Sequence, residues 1–338
     1  MPRATIGVDV GGTKILGIAL GPGAEVVGEW RVATPAGGPA VLAAVFTVVE
    51  RLRAGVGEVS GLGVGVPGLV DRRGTLRFAP NLPGVVELPV GPALADTTGL
   101  AVQVDNDATC ALWAEHRVGA AADSDNTLLV TLGTGIGGGI LADGRLVRGA
   151  SGFAGEIGHL VVEAQGRMCG CGRRGCWERY ASGSALSIAG REAARAGRAP
   201  RLVALAGGDA ATVAGAHVMA AAAEGDAEAA ALVESFAAWV AVGLASLVHV
   251  LDVDRCVIGG GLVEAGEVLF APVRRAFRDR LVAPDHRPDV QVVPARLGER
   301  AGAIGAALLA REPAPPPESR PRAGALPGNP GDGAASEG

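Results

Sequence analysis

The chain has 338 residues, 49% of them apolar and 19% charged, enough for roughly two domains of about 100–200 residues each. This composition excludes a disordered chain, a coiled coil and a small disulfide scaffold. The formal charge is −5 and the basic residues are scattered, so the footprint of a nucleic-acid binder is missing and no nucleic-acid partner is expected.

Residues 1–10 carry no basic leader ahead of an apolar core, and no secretory signal is predicted. Residues 5–10 read as a strand, broken at Gly11-Gly12 and resumed over 15–20, with a third strand over 25–32. Apolar residues at helical spacing predict a helix over 40–53. Strands follow at 62–66 and 101–104, and a helix at 108–118. The order is β-β-β-α-β-α-β-α. The opening theme returns at 127–132, where a strand meets the glycine stretch 133–139 and resumes at 140–141, so two similar halves are expected. Beyond a Cys-rich loop lie a helix-rich stretch over 184–251, a strand at 256–258, a helix over 265–281, a strand at 290–293 and a helix over 301–310. The longest apolar run, 236–251, falls short of the roughly 20 residues that span a bilayer; it predicts a buried core helix and no membrane partner. From 312 to 338 the Pro/Gly/Ala-rich chain reads as a disordered tail.

The first candidate site is Asp9-Val10-Gly11-Gly12-Thr13-Lys14. Two glycines in a hairpin turn let backbone N–H groups approach a phosphate, Thr13 adds a hydroxyl donor, and Asp9 at a strand end is placed to hold Mg²⁺. Lys14 is the one lysine among 30 basic side chains, which marks it as a phosphate partner with a chemistry distinct from arginine. The second is Gly133, Thr134, Gly135, Gly137 and Gly138. A dinucleotide fingerprint would open a helix, whereas this stretch leads into a strand, and no P-loop spacing occurs anywhere in the chain. What remains is a pair of Gly/Thr hairpins gripping a nucleotide's phosphates from two sides. Gly259, Gly260 and Gly261 after a buried strand would let the backbone pass close to an adenine ring, or serve as a plain strand-to-helix turn.

Asp107, in Asp105-Asn106-Asp107 at a strand-to-helix junction, is the acid–base candidate, placed to take the proton from an attacking hydroxyl, with Asn106 binding neighbouring hydroxyls. Asp and Asn are also common helix caps. His159, Cys169, Cys171 and Cys176 have the types and spacing of a closed tetrahedral zinc shell, hence a structural Zn²⁺. Glu156 and Glu178 flank it and would supply acceptors for sugar-type hydroxyls. Such thiols point to a reducing compartment, and the chain is expected in the cytoplasm. Cys110 and Cys256 lie in apolar surroundings and read as inert core residues.

Taken together, Asp9 to Lys14, Gly63-Val64-Gly65-Val66-Pro67-Gly68, Ala79-Pro80-Asn81-Leu82, Asn106-Asp107-Ala108, Thr131 to Gly139, Glu156 to His159 and Cys169 to Glu178 resemble the ROK family of sugar kinases and repressors, and within it the bacterial glucokinases. The resemblance runs to about Arg311. It implies an actin-like, hexokinase-type α/β fold, with one lobe of residues 1–116 and 297–311 and a larger lobe of 117–296 closing on ATP, Mg²⁺ and a hexose. It implies Asp107 as base toward the sugar 6-hydroxyl, a sugar pocket lined by Gly65, Asn81, Asn106, Glu156, His159 and Glu178, and a homo-oligomer, dimer or tetramer. The family's repressors carry an N-terminal helix-turn-helix, for which the eight residues ahead of Asp9 leave no room, so no DNA-binding role is expected; the intact Asp107 and both phosphate hairpins favour a kinase over a silent sugar-binding regulator. Asn81-Leu82-Pro83-Gly84 favours glucose. Val85 stands where an aromatic would be expected, which leaves N-acetylmannosamine, allose or fructose as acceptor and polyphosphate as donor open.

Overall fold

The computed structural model describes residues 3–313, so the tail expected over 312–338 lies, but for its first two residues, outside the described residues. Strands β1 (Ala4–Val10), β2 (Lys14–Leu20) and β3 (Val26–Ala33) form an antiparallel meander. Helix α1 (Gly38–Val56) leads to β4 (Val59–Val66), which pairs parallel to β1. Three short strands, β5 (Leu69–Val70), β6 (Leu76–Phe78) and β7 (Val86–Leu88), make a separate small sheet. Then come α2 (Val90–Thr98), β8 (Val102–Asn106), parallel to β4, and α3 (Asp107–Val118). The second half opens with the meander β9 (Thr127–Leu132), β10 (Ile136–Ala142) and β11 (Arg145–Leu146). It continues through α4 (Glu178–Ala181), α5 (Gly183–Arg195), α6 (Pro200–Leu205), α7 (Gly215–Ala223) and α8 (Ala227–Leu251). It closes with β12 (Arg255–Gly259), α9 (Glu267–Arg278), β13 (Gln291–Pro294) and α10 (Ala301–Leu309).

The two five-stranded sheets run β3-β2-β1-β4-β8 and β11-β10-β9-β12-β13. In each, a meander is followed by two parallel strands, which is the duplication the two Gly/Thr hairpins predict. The physical cause is alternation along half-buried and buried strands. Ile6, Val8 and Val10 join Val45, Val48 and Val49 of α1 in one outer core, and Leu128, Val130 and Leu132 join the helices of the second half in another. Between the sheets lies a third core of α3 and α10 residues with Leu16 and Ile18 of β2, Leu129 of β9 and Val257 of β12. Glycines set how closely these layers approach. A Cβ on Gly63 would stand 1.8 Å from the carbonyl of Ala306, and one on Gly305 1.7 Å from that of Cys110. Helices α3 and α10, expected within the first lobe, thus serve both sheets.

Three sequence expectations change. The small sheet β5–β7 was not foreseen, because strands of two or three residues with exposed Phe78 and Val86 carry no alternation to read. Strand β10 begins at Ile136 rather than 140, so Gly137, Gly138 and Gly139 pair with Thr131, Val130 and Leu129 inside the ladder. The expected apolar core helix extends to the full 25 residues of α8. By length and composition it could cross a bilayer, but half of its most apolar stretch is buried in the second half, packed on α7 and α9. Cys110 and Cys256 are fully buried, as expected.

Candidate active site

The carboxyl ends of β1, β4 and β8 lie along one edge of the first sheet, and the β9–β10 turn faces them from the second. A cleft of about 420 Å³ opens between them, lined by Asn81, Asn106, Asp107, Thr131, the turn Gly133-Thr134-Gly135, Gly137, Glu156, His159 and Glu178. With Cys171, which also lines the cleft, eleven residues singled out from sequence are thereby brought together. Thr131, Pro67, Gly68, Ile136 and Arg179 also line it and were not singled out individually.

The three residues at the β8–α3 junction divide the work. Asn106 is the N-cap of α3: its Oδ1 accepts from the N–H groups of Ala108 (2.9 Å) and Thr109 (3.2 Å), and its Nδ2 donates to the Gly68 carbonyl (3.3 Å). Asp105 accepts from Arg148 Nε at 2.6 Å, an ion pair reaching across to the loop after β11. Asp107, the first residue of α3, accepts from the Ala108 N–H at 2.8 Å and faces the cleft. Enclosure by protein pushes its carboxyl up to about 6; the Ala108 N–H pulls it down, and Glu156 nearby pushes it up again.

Asp9 lies beneath. Its carboxyl is raised to about 7, first by burial, then by the charge of Asp107, with Lys14 opposing. Gly302 at the start of α10 touches it: a Cβ there would be 2.7 Å from the Asp9 carboxyl carbon. Gly65, expected at the sugar, does not line the cleft; it sits inside β4 between the acids, where a Cβ would be 3.5 Å from Asp107 Cα and 3.6 Å from Asp9 Oδ1. The first hairpin is fixed by Gly11 N–H to the Lys14 carbonyl (2.9 Å) and by Thr34, whose hydroxyl donates to the Gly11 carbonyl (2.7 Å) and whose N–H donates to that of Thr13 (3.1 Å). Gly12 abuts the backbone of Asn81, which places the hairpin behind that loop, at the margin of the cleft. Lys14 is turned to Glu299, which also accepts from Arg31 at 2.7 Å.

The second hairpin is the three-residue turn Gly133-Thr134-Gly135, its Gly133 carbonyl accepting from the Gly183 N–H at the start of α5 (2.8 Å). Gly138 is buried in β10 against Ile157 and the Gly155 carbonyl, a packing glycine and not part of the turn. Gly259 closes β12; Gly260, with φ +94°, takes the left-handed conformation, and a Cβ there would be 2.3 Å from the Leu132 carbonyl. Gly261 begins the following short turn. These three lie outside the cleft lining, behind β9.

His159, Cys169, Cys171 and Cys176 converge, with one ligand atom from each within 4.8 Å of all the others. Cys169 Sγ lies 3.9 Å from His159 Nδ1, and Cys171 Sγ 3.6 Å from Cys176 Sγ. The edges of a tetrahedron with Zn–S near 2.3 Å and Zn–N near 2.0 Å are about 3.5–3.8 Å, so these donors fit a zinc ion. The loop is anchored by Trp177, fully buried, with its ring against Gly243 of α8 and its Nε1 donating to the Trp239 carbonyl at 2.7 Å. Glu178 follows, with Oε1 2.9 Å from Cys169 Sγ and Oε2 against Gly135. One carboxylate thus joins the cysteine loop to the second hairpin. Burial also raises the Glu156 carboxyl; His159 lowers it and Glu178 raises it.

Comparison with known proteins agrees with this geometry. The glucokinase of Streptomyces coelicolor is 40% identical over 314 residues, covering 92% of this chain and 98% of its own. The N-acetylmannosamine kinase of Citrobacter koseri is 34% identical over 318 residues, covering 91% and 99%. A crystal structure of a ROK family glucokinase from Streptomyces griseus in complex with glucose and AMPPNP superposes with a TM-score of 0.82 at 39% identity, covering 91% of this chain and 99% of that one. The ROK family model matches residues 5–313. On its duplicated sheets, its cleft and this match over all but two of the described residues, the chain belongs to the ROK family and has that family's actin-like fold.

Proposed function

We propose that the protein is an ATP-dependent hexose kinase that transfers the γ-phosphoryl group to the 6-hydroxyl of glucose. One observation carries the reading: Asp107, raised to about 6, opens into a cleft that also holds Asn81, Glu156, His159, Glu178 and the Gly133–Gly135 turn. A carboxylate of that basicity is ionised at neutral pH and takes the proton as the sugar oxygen attacks phosphorus, while the bond to the leaving ADP oxygen breaks. Asn81, Asn106, Glu156, His159 and Glu178 hold the sugar hydroxyls and orient the 6-hydroxyl toward Asp107. The N–H groups of both hairpins hold the donor's phosphates. Asp9, whose carboxylate takes no hydrogen bond from the described residues, has the hard oxygen donors for Mg²⁺, whose charge offsets that of the phosphates when bound.

The zinc ion in our reading is structural: four protein ligands leave no open position, and its role is to keep Glu156, His159 and Glu178 in register. A thiolate-rich site of this kind suits a reducing, cytoplasmic setting.

Glucose is preferred on the names of the relatives at 40% identity; N-acetylmannosamine is the second reading, favoured by relatives at 34%. A coupled assay of ADP release over a panel of hexoses and amino sugars decides. Highest kcat/KM with glucose is the expected result; highest kcat/KM with N-acetylmannosamine would replace the acceptor, and no turnover with any sugar would contradict the kinase.

A further inference from the structure

The charge of the cleft does not suit its proposed cargo. Asp107, Glu156 and Glu178 line it and Asp9 lies beneath, whereas a nucleoside triphosphate brings several further negative charges. Lys14, the obvious counter-charge from sequence, is held by Glu299. Among the described residues one arginine or lysine lines the cleft, Arg179. It stands in α4, one residue after Glu178, whose carboxylate abuts Gly135 of the second hairpin, so the guanidinium springs from the same turn of chain that packs on the phosphate loop.

Nothing in the described protein occupies that guanidinium. Its Nε is buried without a hydrogen-bond partner. The hydrogen bonds of this residue are made by its backbone: the N–H donates to the Cys176 carbonyl at 2.9 Å and the carbonyl accepts from Arg167 at 3.4 Å. No carboxylate of the described residues lies within ion-pairing distance, although at least five other arginines are so paired. A buried donor left without an acceptor is costly, and a planar guanidinium has the fork that phosphoryl oxygens fit.

We propose that Arg179 is a positioning residue that receives the oxygens of the transferred phosphoryl group, on the donor before transfer and on the sugar phosphate after it. The assignment rests on the phosphotransfer reading of the cleft. Because the contact exists only with a phosphoryl group, Arg179 distinguishes the phosphorylated sugar from the free one, and it offsets the acids that would otherwise repel the donor.

The test is calorimetric titration of glucose and of glucose 6-phosphate into wild type, Arg179→Met and Arg179→Lys, all zinc-loaded. Methionine keeps the apolar stem and removes the charge. The expected result is a glucose Kd within about twofold of wild type and a glucose 6-phosphate Kd raised roughly tenfold or more in Arg179→Met, partly restored in Arg179→Lys. Glucose binding with a glucose 6-phosphate affinity indifferent to residue 179 overturns the assignment alone. Parallel weakening of both ligands makes the role structural and also overturns it. A wild-type protein that binds no glucose contradicts the kinase reading, and the assignment with it.

Discussion

At the scale of single residues, the chemistry turns on how protein surroundings move two carboxyl groups. Asp107 is raised to about 6 and Asp9 to about 7, in both cases chiefly because burial penalises the charged form. A raised value means that the group is protonated below it and ionised above it, so a base at Asp107 is lost as pH falls. We predict that kcat/KM for the sugar is level above about pH 7 and falls toward tenfold per unit on the acid side of about pH 6. The charge of Asp107 also raises Asp9, so the two titrations are linked and the limb belongs to the pair. A flat profile down to pH 4.5 in a protein that stays folded would contradict the role of Asp107. The candidate acids were legible in the sequence because Asp-Asn-Asp at a strand end is more than a cap needs, and the structure assigns the surplus: Asn106 caps, Asp105 pairs with Arg148, and Asp107 faces the cleft. Glu299, 285 residues from its partner Lys14, was not legible, since no local pattern encodes an ion pair at that separation. Arg179 is not legible in the sequence, because one arginine in a polar stretch has no signature until its partners are known.

At the scale of elements, the cysteine loop is a short piece of chain with little core of its own, tied at one end by Trp177 packed against α8 and at the other by the converging side chains of His159, Cys169, Cys171 and Cys176. Replacing Cys171 by serine should release zinc, expected at about one per chain in the wild type. KM for the sugar should then rise, since Glu156, His159 and Glu178 lose their common support, while the nucleotide KM, set by hairpins elsewhere in the chain, changes much less. Metal analysis and the two KM values check this. A zinc-free, folded variant with unchanged sugar KM would detach the loop from the sugar site. The convergence of these four donors could be read in advance because residue type and close spacing along one loop are enough to bring them together. The glycines of 133–139 were harder to read, because a glycine that frees a turn and one that lets a helix approach a strand look alike in sequence. Gly133 stands in the turn with open space around it; Gly135, against Glu178, and Gly138 and Gly139, against Ile157 and Leu112, are close-approach glycines.

At the scale of the whole molecule, two sheets of the same order share a central layer of α3 and α10. The duplication was legible because each half begins with the same strand, Gly/Thr turn and strand. The shared layer was not, since residues apolar on every side indicate burial without saying between what. Gly305 of α10 lies on the backbone of Cys110 of α3, leaving no room for even a methyl group. Gly305→Ala should therefore destabilise by about 1–3 kcal/mol through overpacking, lowering Tm by about 1.5 °C per kcal/mol, because an unfolding entropy of about 2.1 cal/mol/K per residue is about 0.7 kcal/mol/K for a chain of this size. Because both sheets lean on this layer, calorimetry should record one transition. An unchanged Tm, or two separate transitions, would contradict the arrangement.

Asp107→Asn keeps the shape of the side chain and removes the proton acceptor. This variant should bind glucose with near wild-type affinity by calorimetry, while kcat for hexose 6-phosphate formation from ATP falls by about 10² to 10⁴. Turnover close to wild type would remove Asp107 from the reaction.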